Sequence, residues 1–412
     1  MPMAPAVSRT LLPSLAFPVL LTGGLLSCAP PGDAEPGGGV DGSSLPAGPA
    51  PTVYTPPPGH EAWERRAADE VGMDAALLQE AVEYALAHET TEIPADPGAY
   101  LRERFAGLPH QEIVGPTSPR GGVNGIVIKD GYLVAEWGDT DREDMTFSVT
   151  KSYLATTAGL AWADGLIPGL DDPMVELLPD SLFPDERTRA ITWRNLLQQT
   201  SEWEGTLFGK PDLADRREGI DRTLQEPGTF WEYNDVRVNL MAYALLLRHG
   251  EPLPEVLRTR IMGPIGASGD WRWHGYETSW TELGDERVQS VSGGGHWGGG
   301  LVIDTRDHAR FGLLALRHGR WGDWQLVPSQ WFRMALSPGD VKPDYGFMWW
   351  LNTDRALLPA APETAFMAVG AGWTNVIYVD PEHDLVTVTR WVDGPEHVNG
   401  FIQRILAAVE AG

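Results

Sequence analysis

The sequence predicts an α/β (α+β) fold in which one lobe mixes sheet and helix and a helical lobe is inserted into it. Three observations carry this expectation. Short apolar runs separated by turn residues occur at 125–137 and return at 345–391. Between about residues 155 and 335, apolar residues recur mainly at helical spacing. The last stretch, Val398–Ala411, is helical again, so both ends of the folded chain contribute to the mixed lobe.

With 412 residues the chain can form one large domain or two lobes around a sizeable core. Its formal net charge of -26 argues against nucleic acid and against an anionic membrane surface as partners. The single cysteine, Cys28, follows an apolar segment from Leu11 to Leu26 that begins after Arg9 and is interrupted by proline. That segment is too short and too broken to be a good membrane span, and it has the anatomy of a signal peptide. Its end, Leu25-Leu26-Ser27-Cys28, resembles a bacterial lipobox, in which the cysteine becomes the lipidated first residue. The expectation is a lipoprotein-type segment at 1–28, export, and an anchor at Cys28 in a bacterial membrane as the sole membrane contact. With no second cysteine there is no intrachain disulfide, despite export. Residues 29–60 are rich in Pro, Gly, Ala and Ser and read as a tether, which places the folded domain at 61–412.

Within that domain, 61–70 reads as a short helix. Asp74 caps a second helix reaching about His88, with Leu77, Leu78, Ala81, Val82 and Leu86 at helical spacing. Pro94 and Pro97 break the pattern, and the chain reads as irregular to Gly122. Gly125–Ile128 and Tyr132–Trp137 are strands joined by Lys129-Asp130-Gly131, a hairpin turn with Lys129 solvated. Asp171-Asp172-Pro173 opens a short helix and Thr192 caps another. Val236–Arg248 and Arg306–His318 are longer helices. Strands follow at 345–350, 365–369, 375–379 and 385–391.

The chemistry centres on Thr146-Phe147-Ser148-Val149-Thr150-Lys151. In the first turn of a helix, Ser148 and Lys151 lie on one face. A serine hydroxyl is a weak nucleophile until its proton is removed. A neutral lysine can remove it, and a charged one can lower the pKa of a neighbouring base. The helix N-terminus adds N–H groups that favour an oxyanion. The bland alternative is a helix cap followed by an exposed lysine. Against it, the chain has only Lys129, Lys151, Lys210 and Lys342, and Lys151 leads into the apolar run Leu154–Ala161. Tyr233, in Phe230-Trp231-Glu232-Tyr233-Asn234-Asp235, is a candidate second proton carrier or a core tyrosine. Gly370-Ala371-Gly372-Trp373 begins a candidate oxyanion strand or is a plain turn.

Taken in order, Ser148-x-x-Lys151, Tyr233-Asn234-Asp235 and Gly370-Ala371-Gly372 resemble the three motifs of the penicillin-recognising serine hydrolases. The resemblance is narrower to the branch of class C β-lactamases, esterases and 6-aminohexanoate-dimer hydrolases, and it covers about Gly125 to Ala411. It implies a β-lactamase-like fold, with an antiparallel sheet flanked by helices, and acyl transfer through Ser148 without a cofactor. Lys151 or Tyr233 would take the serine proton. The N–H groups of Ser148 and Trp373 would hold the oxyanion, and Asn234, Asp235, Gly370 and Gly372 would lie against the substrate.

Two departures narrow the substrate. Asp235 stands where Asn is usual, and Gly370 and Ala371 stand where true β-lactamases carry Lys or His and then a hydroxyl residue. The lost cation and hydrogen bond favour a small ester or amide over a β-lactam or cell-wall peptide. A catalytically silent binding module is the rival from another class. Trp203, Trp231, Trp297, Trp349, Trp350 and Trp373 flank the motifs and suggest an aromatic pocket. His296, in Gly293-Gly294-Gly295-His296-Trp297-Gly298, is a candidate to contact substrate or handle a proton. The sequence has no His-Glu-x-x-His metal motif and no Gly-x-Ser-x-Gly elbow around Ser148.

Overall fold

The structure, a computed structural model, describes residues 54–59 and 62–412. The leader with Cys28 and the tether as far as residue 53 lie outside the described residues. Residues 54–59, expected at the end of the tether, already pack: Tyr54 stacks on Tyr132 at 4.2 Å. Arg310 donates to the carbonyl oxygens of Pro57 and Gly59. The helix expected at 61–70 is not formed among the described residues, where the chain is largely extended and has a 3-10 turn at Ala68–Val71. The reason is burial of Trp63, whose Nε1 donates to Gly131 O while Arg65 bridges Leu133.

Helix α1 (Ala75–Ala87) starts at Asp74, whose carboxylate accepts the N–H groups of Ala76 and Leu77. The stretch to Gly122 is not wholly irregular, because Pro97 is the first residue of a helix rather than a breaker. Asp96 caps α2 (Pro97–Arg104), and its proline occupies a position where no N–H is needed. Strands β1 (Asn124–Lys129) and β2 (Tyr132–Trp137) form the expected hairpin. Lys129 is not freely solvated: its side chain is 12% exposed and paired with Asp130. The two-residue β3 (Asp144–Met145) leads to α3 (Thr150–Ala163), in which every residue from Thr150 to Ala161 is buried.

A helical region follows: α4 (Glu186–Arg189), α5 (Trp193–Leu197), the small hairpin of β4 (Thr206–Leu207) and β5 (Lys210–Pro211), α6 (Asp235–His249) and α7 (Leu253–Leu257). It does not extend to 335 as expected. The chain turns into β6 (Arg272–Leu283), β7 (Glu286–Val291) and β8 (Gly300–Ile303), which with β3 form a four-stranded sheet in the order β3-β8-β6-β7. After α8 (Thr305–Leu316) come β9 (Arg320–Trp321), β10 (Trp324–Gln325) and α9 (Ser329–Ala335).

The remaining strands, β11 (Trp350–Leu351), β12 (Phe366–Val369), β13 (Asn375–Asp380) and β14 (Leu385–Arg390), join β1 and β2 in a six-stranded sheet ordered β11-β12-β13-β14-β1-β2. All its pairings are antiparallel. The strand expected at 345–350 is reduced to β11. Met348 takes φ +58°, off the extended geometry of a strand, and its carbonyl accepts Ser152 Oγ from α3. Helix α10 (Gly394–Ala411) closes the chain. Both faces of the large sheet are covered, which is why β13 and β14 are buried throughout rather than alternating. Along β1, Ile126 and Ile128 join the core that contains α8, and Val127 joins the one that contains α1 and α10.

Glu136 on β2 ties the sheet edge to α8. It accepts from Arg306 Nε at 2.5 Å and from Thr140, and it pairs with Arg65. Burial pushes Glu136 up, but its bonds to Arg306, Thr140 and Arg65 outweigh this and bring it down from 4.5 to about 2. Its contribution to stability is therefore full above pH 4.5 and is lost as pH falls through about 2. The expected result for Glu136→Gln is a loss of about 2–3 kcal/mol in urea unfolding at pH 7. The gap from the parent should narrow steadily below pH 4.5; a gap independent of pH would contradict this assignment.

Candidate active site

Ser148 lies in a 3-10 turn, Phe147–Val149, that runs into α3. The turn is pinned from several sides. Thr146 Oγ1 lies 2.8 Å from His308 Nε2, and Thr150 Oγ1 donates to Phe147 O while accepting Leu301 N–H. Gly370 packs so close that a Cβ there would meet Thr146 O at 2.6 Å. Phe147 takes φ +50°, a strained value for a side-chain-bearing residue directly before the serine.

Lys151 is 1% exposed, and its Nζ donates to Ser148 Oγ at 2.9 Å and to Asp235 Oδ1 at 2.6 Å. Burial pushes Lys151 down, but the Asp235 carboxylate outweighs it, with Tyr233 adding to the effect, and holds the amine above its ordinary value. Burial likewise pushes Asp235 up, and Lys151, His296 and Arg217 more than reverse it, holding the carboxyl low. The pair is therefore ionised on both sides, and the resting lysine is a cation. Asp235 is also the first residue of α6, where the helix end favours negative charge.

Tyr233 stands just before α6, with Lys151 Nζ 4.5 Å and the Arg217 guanidinium 4.8 Å from its ring centroid. Trp231, Tyr233, Trp350 and Trp373 line a cavity of about 270 Å³ that also reaches Ser148. The other three tryptophans expected at the pocket, Trp203, Trp297 and Trp349, are fully buried in the core. A second cavity of about 540 Å³ also reaches Ser148 and is lined by Asp235, His296, Arg217, Ala371 and Phe105, among others. Tyr100, Leu101 and Arg104 of α2 also line it, in a stretch where the sequence shows no clear period.

Several expected roles change. Asn234 does not face a substrate: it is fully buried and caps α6, accepting the N–H groups of Val236 and Arg237 and donating to Asp212 O. The Trp373 N–H is not free for an oxyanion, because it closes a turn onto Gly370 O at 2.9 Å. Among the described residues, the N–H groups of Ser148 and Ala371 have no backbone acceptor, and both residues line both cavities. Gly370 lines only the smaller cavity, whereas Gly372 lines both. His296 lines the larger cavity, and its N–H donates to Asp235 Oδ2.

Two functional candidates escaped the motif reading. Asp215 is buried, accepts Asp235 N–H at 2.7 Å and Arg217 Nε at 3.1 Å, and lies 3.3 Å from His296 Nδ1. Arg217 lines both cavities beside Ser148. The signal available was the dense charge run Asp212, Asp215, Arg216 and Arg217 in a stretch without periodicity. Among the described residues no group of His, Cys, Asp and Glu is arranged to hold a metal ion.

A serine bonded to a buried lysine at the junction of two cavities, with a tyrosine against the same amine, is an arrangement that can activate a serine hydroxyl. The chain belongs to the Beta-lactamase family, which it matches over residues 119–404, and it is a serine hydrolase of that family. An uncharacterised protein of Alkalihalophilus pseudofirmus is 25% identical over 311 residues, 65% of this chain and 82% of that protein. A structure from Bacteroides dorei, provisionally termed a β-lactamase, superposes with TM-score 0.53 at 16% identity, covering 69% of this chain and 93% of its own. EstCE1, described as a hydrolase with promiscuous acyltransferase activity, superposes with TM-score 0.52 at 15% identity, covering 82% of this chain and all of its own. At these identities the structural likeness speaks for the fold.

Removing Asp235 strands a buried ammonium. Asp235→Ala should lower unfolding free energy by about 3–5 kcal/mol. The Asp235→Ala/Lys151→Ala double variant should lose clearly less than the sum of the two single changes. Additive losses in a urea double-mutant cycle would show that the two groups do not depend on one another.

Proposed function

We propose that the protein cleaves small esters or amides through an acyl-Ser148 intermediate, using a Ser148-Lys151-Tyr233 set. The observation that carries this is the 2.9 Å bond from a charged Lys151 to Ser148 Oγ at the meeting of the two cavities. Because Lys151 is already protonated, Tyr233 is the group that accepts the serine proton. To take it, Tyr233 starts as a phenolate; the Lys151 and Arg217 cations beside its ring balance that negative charge, which is gone once the proton has been taken. As the tetrahedral centre forms, the N–H groups of Ser148 and Ala371 receive its oxyanion. Collapse expels the alcohol or amine, which takes the proton from Tyr233.

Arg217 favours a second reading, a β-lactam or cell-wall peptide, because it is a cation at Ser148 where position 370 offers none. Its side chain is paired with Asp215, however, which offsets the charge available to a substrate carboxylate. The ester or amide reading therefore ranks first. We further propose export and a lipid anchor at Cys28, on the lipobox-like end of the leader. Among the described residues no helix is long and apolar enough to cross a membrane.

A fluorophosphonate probe should label Ser148 in the folded protein and fail on Ser148→Ala; no labelling would remove the hydrolase assignment. Lys151→Ala and Tyr233→Phe should each cut turnover of a short aryl ester by about 100-fold or more. Assayed side by side, short aryl esters and a linear amide should be turned over faster than a chromogenic cephalosporin; the reverse order would favour the second reading. Expressed in a bacterial host, Cys28→Ala should move the protein from the membrane to the soluble fraction, and unchanged fractionation would remove the anchor.

A further inference from the structure

We propose that His296, oriented by Asp215, is the general base that activates water to break down the acyl-enzyme, so that the two halves of the reaction use different proton carriers. The proposal rests on the acyl-Ser148 reading above. Its basis is how the loop 293–296 is placed. A Cβ on Gly294 would lie 2.3 Å from Lys151 Nζ and 2.2 Å from Asp235 Oδ2, so the loop runs directly over the ion pair. Only glycine allows that approach, and it carries His296 into the wall of the cavity that holds Ser148.

The imidazole is locked there. Its ring stacks on Phe105 at 4.2 Å and meets Trp297 edge-on at 4.1 Å, and its side chain is 10% exposed. Nδ1 faces Asp215 Oδ1 at 3.3 Å, whereas Nε2 has no partner despite its burial. Asp215 cannot drift, because it also holds Asp235 N–H and Arg217. A proton on Nδ1, assigned from its carboxylate partner, leaves the lone pair of Nε2 free. An aspartate that orients a histidine in this way is a recurrent arrangement for a base acting on an oxygen nucleophile.

The electrostatics agree. Burial holds His296 below its ordinary 6.5; Asp215 and Asp235 pull it up, and Arg217 and Lys151 push it down. The ring is therefore neutral at neutral pH and can accept a proton. Lys151, a cation bonded to Oγ, is suited to protonating the departing serine oxygen and not to deprotonating water. Among the described residues no other histidine lines the cavity.

The step balances. Water gives one proton to Nε2 while its oxygen bonds to the acyl carbon. The carbon–Oγ bond breaks, its electron pair stays on Oγ, and Oγ takes a proton from Lys151 Nζ. The proton on Nε2 passes through cavity water to Lys151, leaving serine, neutral histidine, charged lysine and the free acid.

Stopped-flow hydrolysis of a p-nitrophenyl ester, followed by intact-mass measurement, tests this. His296→Gln should release one equivalent of nitrophenol at close to the parent rate, then turn over about 100-fold more slowly, with acyl-Ser148 accumulating. In the parent, acyl-enzyme breakdown should weaken as pH falls through a value below 6.5, and the variant should lack that limb. Parent-like breakdown in His296→Gln, with no trapped acyl mass, overturns the proposal. If the variant does not fold, a parent profile with no such limb overturns it instead. A parent enzyme that never acylates would contradict the hydrolase reading rather than this one.

Discussion

The bond from Lys151 to Asp235, 2.6 Å long and closed to solvent, is the constraint on which the site depends. It joins the central helix α3 to the start of α6, elements contributed by different parts of the chain. An ion pair at this depth costs much to desolvate and stabilises only when geometry and further hydrogen bonds are good. Here they are: Asp235 takes the His296 N–H on its other oxygen, and Lys151 has Ser148 as a second acceptor. The pair thus converts the position of α6 into the position of the nucleophile's hydrogen-bond donor. It also sets the charge state, because a lysine held against a carboxylate stays protonated.

The rest of the site is arranged around that pair by backbone rather than by further charge. The Phe147 strain, the approach of Gly370 to Thr146 and the passage of Gly294 over the pair bring three chain segments to the walls of the cavities that Ser148 lines. Behind them lies a second buried network, in which Glu202 receives Arg222 and Arg237 and Asp212 receives Arg216. Asn234 connects the two through its cap and its bond to Asp212 O. The negative charge of Asp235 is held by its neighbours: Lys151, the His296 N–H and the nearby Arg217.

The parts of this that were legible in the sequence share a property: their signal is local. Ser148 and Lys151 are three residues apart, Asp74 and Thr192 precede apolar periodicity, and β12, β13 and β14 are short apolar runs between turns. What was missed depends on contacts distant in sequence. Asp215 acquires meaning only because its loop folds back onto Asp235 and His296. The hairpin of β6 and β7 is half-exposed and mixed in composition, so neither period is strong. Pro97 reads equally as a helix stop or a helix start, and Asp96 decides it only through the cap it makes. The choice of Ala371 over Trp373 as free donor turns on a single backbone bond that no composition records.

The protonation state of Lys151 decides which group can take the Ser148 proton. The chain has four lysines, so labelling them at Nζ and Cε and assigning the Lys151 resonance by Lys151→Arg is practical. A titration by heteronuclear NMR should find Lys151 charged throughout the neutral range and losing its proton only above the ordinary lysine value of 10.5. A Lys151 that is neutral at pH 7 would contradict the central claim and return the role of base for Ser148 to the lysine itself.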